Sequence, residues 1–170
     1  MRQVLVDMDG VLADVYPHLT AYEFKESGLR VSPQSMCGKL EEFAFPSFDK
    51  IIRSKGFFRT APVIEHSVEG LNYLNSKYKV LIVSSATEFP GSLTEKYAWL
   101  NEFFPFISWQ QMIFCGSKES VCGDIMIDDH IKNLDSFNGR KIMFTQPHNV
   151  LIQDVSLERV GNWDQIMNIL

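Results

Sequence analysis

Five short apolar runs, separated by stretches of helical spacing, set the terms for what this chain can fold into. The runs are Gln3–Val6, Lys79–Val83, Met112–Cys115, Asp124–Ile127 and Lys141–Phe144. Each is too short for a helix and does not alternate with polar residues, which predicts a strand buried on both faces. Between them, apolar residues recur at helical spacing. Val68, Leu71, Leu74 and Tyr78 do so from Glu65 to Tyr78, and Leu93, Tyr97, Leu100 and Phe104 do so from Leu93 to Phe104. Shorter helices are predicted over Ile131–Phe137 and Trp163–Leu170. Strands alternating with helices imply an α/β fold: a three-layer, Rossmann-like parallel sheet with right-handed crossovers.

One segment interrupts the alternation. From Val15 to Ala61 there is no convincing strand, and the distance far exceeds an ordinary connection. Leu19–Glu26 and Lys39–Ile52 carry helical patterns, broken by Ser32-Pro33 and Phe45-Pro46. The expected division is an α/β core of residues 1–14 and 62–170 with a small helical cap, residues 15–61, inserted after the first strand. Phe43, Phe45, Phe48, Phe57 and Phe58 are expected mostly to form the cap's own core. Lys39, Lys50, Arg53, Lys55 and Arg59 are expected on its solvated face.

Length and charge narrow the function. A chain of 170 residues suits one domain with an elaboration. A net charge of −5 argues against a broad nucleic-acid-binding face. No apolar run reaches membrane-spanning length, so no membrane partner is expected. Cys37, Cys115 and Cys122 lack metal-type spacing, and a strand begins almost at the first residue. Together these predict reduced thiols and a cytoplasmic location. A homodimer is compatible with the sequence, though no motif argues for one.

The chemistry lies where the apolar runs end. Val4-Leu5-Val6 leads straight into Asp7-Met8-Asp9-Gly10. On extended backbone, positions i and i+2 face the same side, so Asp7 and Asp9 share one small volume. Two anions that close need a cation or a shared proton. Gly10 permits the turn that must follow. Ser84-Ser85 follows the second run, Lys118 lies just past the third, and Asp128-Asp129 follows the fourth. A parallel sheet puts all these ends on one edge, the edge where open α/β sheets bind ligands.

Four carboxylates, two hydroxyls and one ammonium suit phosphoryl transfer. Oxygen-only donors favour Mg²⁺. One carboxylate can attack phosphorus, and a second can move the leaving group's proton. Hydroxyl and ammonium groups can hold the equatorial oxygens, where transition-state charge is spread. Each piece alone has an ordinary reading: the acid pairs as helix caps, Ser84-Ser85 as a turn, Lys118 as a surface lysine. Their occurrence at four strand ends in order is the stronger signal. His18, His66, His130 and His148 show no metal-like spacing, and none is assigned to catalysis.

These four ordered motifs resemble those of the haloacid dehalogenase (HAD)-like phosphohydrolases. Within that superfamily the chain resembles the 5′(3′)-deoxyribonucleotidases. The likeness includes Val4 through Asp14, Lys55-Gly56-Phe57-Phe58, Glu95-Lys96-Tyr97-Ala98-Trp99 and Gly123 through Asp129. It also includes Phe144-Thr145 with His148-Asn149, and Asn162-Trp163. The resemblance implies that Asp7 is the nucleophile and a metal ligand. It implies that Asp9 is the general acid/base, its carbonyl also binding Mg²⁺. Ser84, Ser85, Lys118 and Lys96 would contact phosphate. Asp129 would bind the metal directly, with Asp128 behind it. Phe58 would line the nucleoside pocket.

Four positions depart from the better-known members. This chain has Ser84-Ser85-Ala86 for Thr-Ser-Pro, Val15 for an aromatic, and Gly116 for an arginine. The implied activity is Mg²⁺-dependent dephosphorylation of (deoxy)ribonucleoside monophosphates through an aspartyl-phosphate. The alternatives are a HAD phosphatase for a sugar phosphate or other small metabolite, and a non-catalytic phosphate-binding module.

Overall fold

A computed structural model describes all 170 residues. Its centre is a six-stranded, all-parallel sheet in the order β3-β2-β1-β4-β5-β6. The strands are β1 (Gln3–Val6), β2 (Lys79–Ser84), β3 (Met112–Phe114), β4 (Ile125–Asp128), β5 (Arg140–Phe144) and β6 (Glu158–Val160). Five match the apolar runs. The sixth was not expected: Glu158-Arg159-Val160 has one apolar side chain and becomes a strand by pairing with the edge of β5.

Successive strand residues feed two different cores. Val4, Val6, Val80, Ile82, Ile125 and Ile127 join one cluster, while Leu5, Leu81, Val83 and Met126 join another. That separation is the period-two geometry of a sheet with both faces covered. The first face packs against α5 (Ser67–Lys77), α6 (Ser92–Phe103) and α8 (Trp163–Ile169) through Leu71, Leu74, Trp99, Leu100, Trp163 and Ile166. The second is covered more thinly, by α7 (Ile131–Asp135) and neighbouring loops.

Residues 15–61 contain no strand. They form α1 (Val15–Ser27), α2 (Pro33–Met36), α3 (Glu41–Ala44), α4 (Phe48–Ile52) and a 3₁₀ turn at Phe58–Thr60. The helical pattern over Lys39–Ile52 is thus split, because Pro46 lacks the N–H that a continuous helix would need. Phe45, Phe57 and Phe58 are buried as expected, but Phe43 is 73% exposed. The segment leaves and rejoins the core through paired backbone. Asp14 N–H donates to Pro62 O at 2.7 Å, Ile64 N–H donates to Leu12 O at 2.8 Å, and Ala13 bridges Val63.

A buried carboxylate organises the helical segment. Glu23 on α1 accepts Ser47 N–H and Ser47 Oγ at 2.9 Å each, and Ser27 Oγ at 2.6 Å. Burial pushes Glu23 up, but bonds from Ser27 and Ser47 outweigh it and hold it below its ordinary value. Its contribution is therefore present above the usual Glu range and fades as pH falls through it. Replacing Glu23 by Ala leaves the Ser47 donors without their acceptor. The expected loss is about 2–3 kcal/mol, a melting temperature lower by about 4–12 °C in calorimetry.

Candidate active site

The site forms at the carboxyl edge of the sheet, between β1 and β4, where the strand order reverses. Asp7 directly follows β1, and its N–H continues the ladder to Ile127 O at 2.9 Å. The turn after it is tight: Leu12 and Ala13 both donate to Met8 O, at 2.8 and 2.9 Å. Gly10 occupies it with φ 77°. A Cβ there would lie 2.1 Å from Asp129 Oδ2, so only glycine lets the two acid-bearing turns approach this closely.

Lys118 is the buried pivot. Its Nζ lies 2.6 Å from Asp7 Oδ1 and 2.6 Å from Asp128 Oδ2. Burial alone would depress it, but Asp128 and Asp7 outweigh that and raise its pKa. Asp7 also accepts Met8 N–H at 2.7 Å. Burial and the negative charge of Asp128 push Asp7 up to about 7, against the pull of Lys118. Asp129 is raised well above the carboxylate range, by burial first and then by Asp7 and Asp128.

Asp128 and Asp129 differ in what they have left to give. Asp128 already accepts Lys118 Nζ, His130 N–H at 2.9 Å, and Asn133 Nδ2 at 3.0 and 3.1 Å. Asp129 Oδ1 is buried with no hydrogen-bond partner. An orphaned buried carboxylate oxygen is costly unless something positive meets it. Asp7, Asp128 and Asp129 each offer an oxygen atom within 4.8 Å of the others. Three buried acids facing one ammonium, with oxygen donors only, fit a hard divalent cation such as Mg²⁺.

The remaining residues close one cavity of about 330 Å³, lined by Asp7, Asp9, Ser84, Ser85, Lys118 and Asp129 among others. Asp9 is the most open of the four strand-end acids, its side chain 32% exposed, and it pairs with Lys96. Lys96 is not the surface lysine that its charge suggests. It is 2% exposed, donates to Ser84 Oγ at 2.9 Å and sits 4.5 Å above the Phe58 ring. Phe58 stacks near Phe89, and with Phe48, Phe57, Leu19 and Ile52 they form the cavity's apolar wall.

Across residues 1–170 the sequence matches the family described as "5′ nucleotidase, deoxy (Pyrimidine), cytosolic type C protein". The chain belongs to this family. A protein named 5′(3′)-deoxyribonucleotidase in Bacillus subtilis is 37% identical over 171 residues, covering 98% of this chain and 97% of its own. One of the same name in Bacillus phage SPbeta matches equally. Solved structures share the fold. HAD-hydrolase YfnB from Bacillus subtilis, bound to magnesium, superposes with a TM-score of 0.64 at 14% identity, covering 99% of this chain and 98% of its own. D,D-heptose 1,7-bisphosphate phosphatase from Burkholderia thailandensis gives 0.60 at 9%, covering 99% and 97%. As a member of the 5′ nucleotidase family on a HAD-like fold, the protein is a phosphoric monoester hydrolase.

Every site residue singled out from the sequence lies at this edge, with Asp128 set behind the cavity wall. Four others gather there: Tyr16 and Glu41 from the helical segment, which the sequence did not mark, and His130 and His148 from the core, which it left without a catalytic role. Tyr16 O–H donates to Glu41, and its oxygen lies 2.6 Å from His148 Nδ1. Glu41 lies 3.2 Å from that same nitrogen and 3.9 Å from His130 Nε2. Burial pushes Glu41 up, but the bond from His148 and the facing imidazoles outweigh it and hold it at about 2. The one available signal was His148-Asn149, a polar pair shortly after β5. No helix is long and apolar enough to cross a membrane.

Proposed function

We propose that the protein is a Mg²⁺-dependent phosphomonoesterase acting on deoxyribonucleoside monophosphates. The carrying observation is a single cavity in which Asp7, Asp9, Ser84, Lys118 and Asp129 converge beneath a wall of phenylalanines. The acidic and cationic end suits a phosphate, and the aromatic end suits a base and sugar. Family membership and the names of the relatives support the same reading.

Asp7 is the nucleophile. Its carboxylate oxygen attacks phosphorus in line, the bond to the ester oxygen breaks, and an aspartyl-phosphate forms. Asp9 gives its proton to the departing sugar oxygen. It then takes a proton from water, which attacks the acyl phosphate and frees Asp7 with release of inorganic phosphate. Lys118 and Ser84 hold the non-bridging oxygens as charge spreads over them. Lys96 is within reach of the same group from the Phe58 side. Asp7, Asp129 and the Asp9 carbonyl would hold the Mg²⁺, whose charge lets a phosphate dianion approach these acids.

Two measurements test this. Phosphate release from a panel of monoesters, with Mg²⁺, should favour thymidylate and deoxyuridylate over sugar phosphates by about tenfold or more in kcat/KM. A preference for sugar phosphates would replace the nucleotide assignment, and no turnover on any ester would favour a phosphate-binding module. Chelation should abolish release. Mg²⁺ at a hundred times its Kd should add about 2.7 kcal/mol of stability, raising the melting temperature by about 5–10 °C. A melting temperature and a turnover both indifferent to Mg²⁺ and chelator would exclude the metal role.

A further inference from the structure

The loop after β5 holds two turns of the site at once. Gln146 Nε2 donates to Gly10 O at 2.6 Å, in the turn that carries Asp7 and Asp9. His148 Nε2 and Asn149 Nδ2 both reach Asp129 O, at 2.9 and 2.8 Å. A carbonyl can only accept, so Nε2 of His148 carries a hydrogen. Asn149 is itself anchored, donating to Phe144 O at 2.8 Å and accepting from Arg159 at 2.9 Å. Residues 146–149 therefore act as a clip across the backbone of Gly10 and Asp129.

The helical segment grips this clip from the other side. Tyr16 and Glu41 close on His148 Nδ1, and Gly38 N–H donates to Pro147 O at 2.8 Å. His130 stacks on His148, with ring centroids 4.3 Å apart. Glu41 has two faces: it is only 12% exposed and buried against His148, yet it also lines the cavity. One carboxylate thus belongs to the segment that covers the substrate and touches the imidazole that fixes Asp129.

We propose that Glu41 is a positioning residue which, with Tyr16 and His148, couples docking of the helical segment to the placement of Asp129 for its cation. This rests on the reading above that Asp129 binds Mg²⁺. Hydrogen-bond partners behind a ligand orient it, and their loss weakens metal affinity by about 10–100-fold. The coupling must also run in reverse, so Mg²⁺ should tighten the segment by the same factor.

Calorimetric Mg²⁺ titration tests this without reference to turnover. Wild type, Glu41→Gln and Tyr16→Phe are compared. Glu41→Gln keeps the volume and should bind Mg²⁺ about 10–100-fold more weakly. Tyr16→Phe removes one hydroxyl and should lose a few-fold, on the order of one hydrogen bond. In wild type, Mg²⁺ should slow amide exchange over residues 33–45, and this protection should shrink in both variants. If both variants bind within about twofold of wild type and keep that protection, the coupling is refuted while the metal reading stands. If wild type itself binds no Mg²⁺, the metal reading fails and the coupling with it. Should Glu41→Gln not fold, Tyr16→Phe decides by the same two readouts.

Discussion

Asp7→Asn will lower turnover by on the order of a thousandfold or more, and the protein will remain folded. Asparagine keeps the shape of the side chain and can still accept Met8 N–H, which Asp7 receives at 2.7 Å. It cannot form the acyl phosphate. The same change should not lower, and should somewhat raise, the melting temperature in chelator at pH 8. Asp7 is pushed up to about 7 by burial and by Asp128, which means that its ionised form is disfavoured in the fold. A raised carboxylate contributes stability below its unfolded pKa and loses it as pH rises through the folded one. At pH 8 the wild type has lost it, whereas a neutral amide has nothing to lose. Burst-phase labelling and calorimetry check the two halves. A variant that turns over at the wild-type rate excludes Asp7 as nucleophile.

Lys118→Met carries the largest expected change in stability. The side chain is similar in volume, so the loss is one of charge rather than of packing. It removes the only ammonium within 2.6 Å of both Asp7 and Asp128 and leaves those carboxylates buried without it. Breaking a buried pair from one side costs on the order of 3–5 kcal/mol, here a melting temperature lower by about 6–20 °C. Turnover should vanish too, since in the proposed mechanism the same group holds the phosphate. Mg²⁺ should restore part of the lost stability, because it meets the same excess of negative charge. The double variant Asp7→Asn/Lys118→Met tests the cause. If charge imbalance is responsible, it will be more stable than Lys118→Met alone. Equal melting temperatures would assign the loss to packing.

Much of this was legible because buried parallel strands and their polar ends are local signals. Val4-Leu5-Val6-Asp7 needs no distant partner to be read as a strand running into a site. What could not be read depends on neighbours far along the chain. Glu158-Arg159-Val160 has no strand pattern of its own, and only the open edge of β5 makes it one. Along α6, Tyr97 falls on the apolar stripe and is 45% exposed, whereas Lys96 beside it is almost wholly buried. Periodicity sorts residues by polarity and cannot see that Asp9 and Ser84 wait on the polar side. Glu41 and His148 are further apart still: His148 stands in the matched His148-Asn149 pair, but nothing in the sequence ties it to Glu41. Phe43 shows the converse: the short α3 leaves one of its faces open to solvent.

The helical segment joins the core through two adjacent backbone stems, at Ala13–Asp14 and Pro62–Ile64. Ends that already touch make the length between them nearly free, since closing a longer loop adds only slowly to the entropy of folding. The sheet and its acids can then stay constant while the inserted stretch is lengthened, shortened or rewritten. On the proposed function, selectivity for the organic part of the ester would then be separable from the bond-breaking step. The proposed coupling would constrain that freedom at Glu41 and Tyr16, which meet His148.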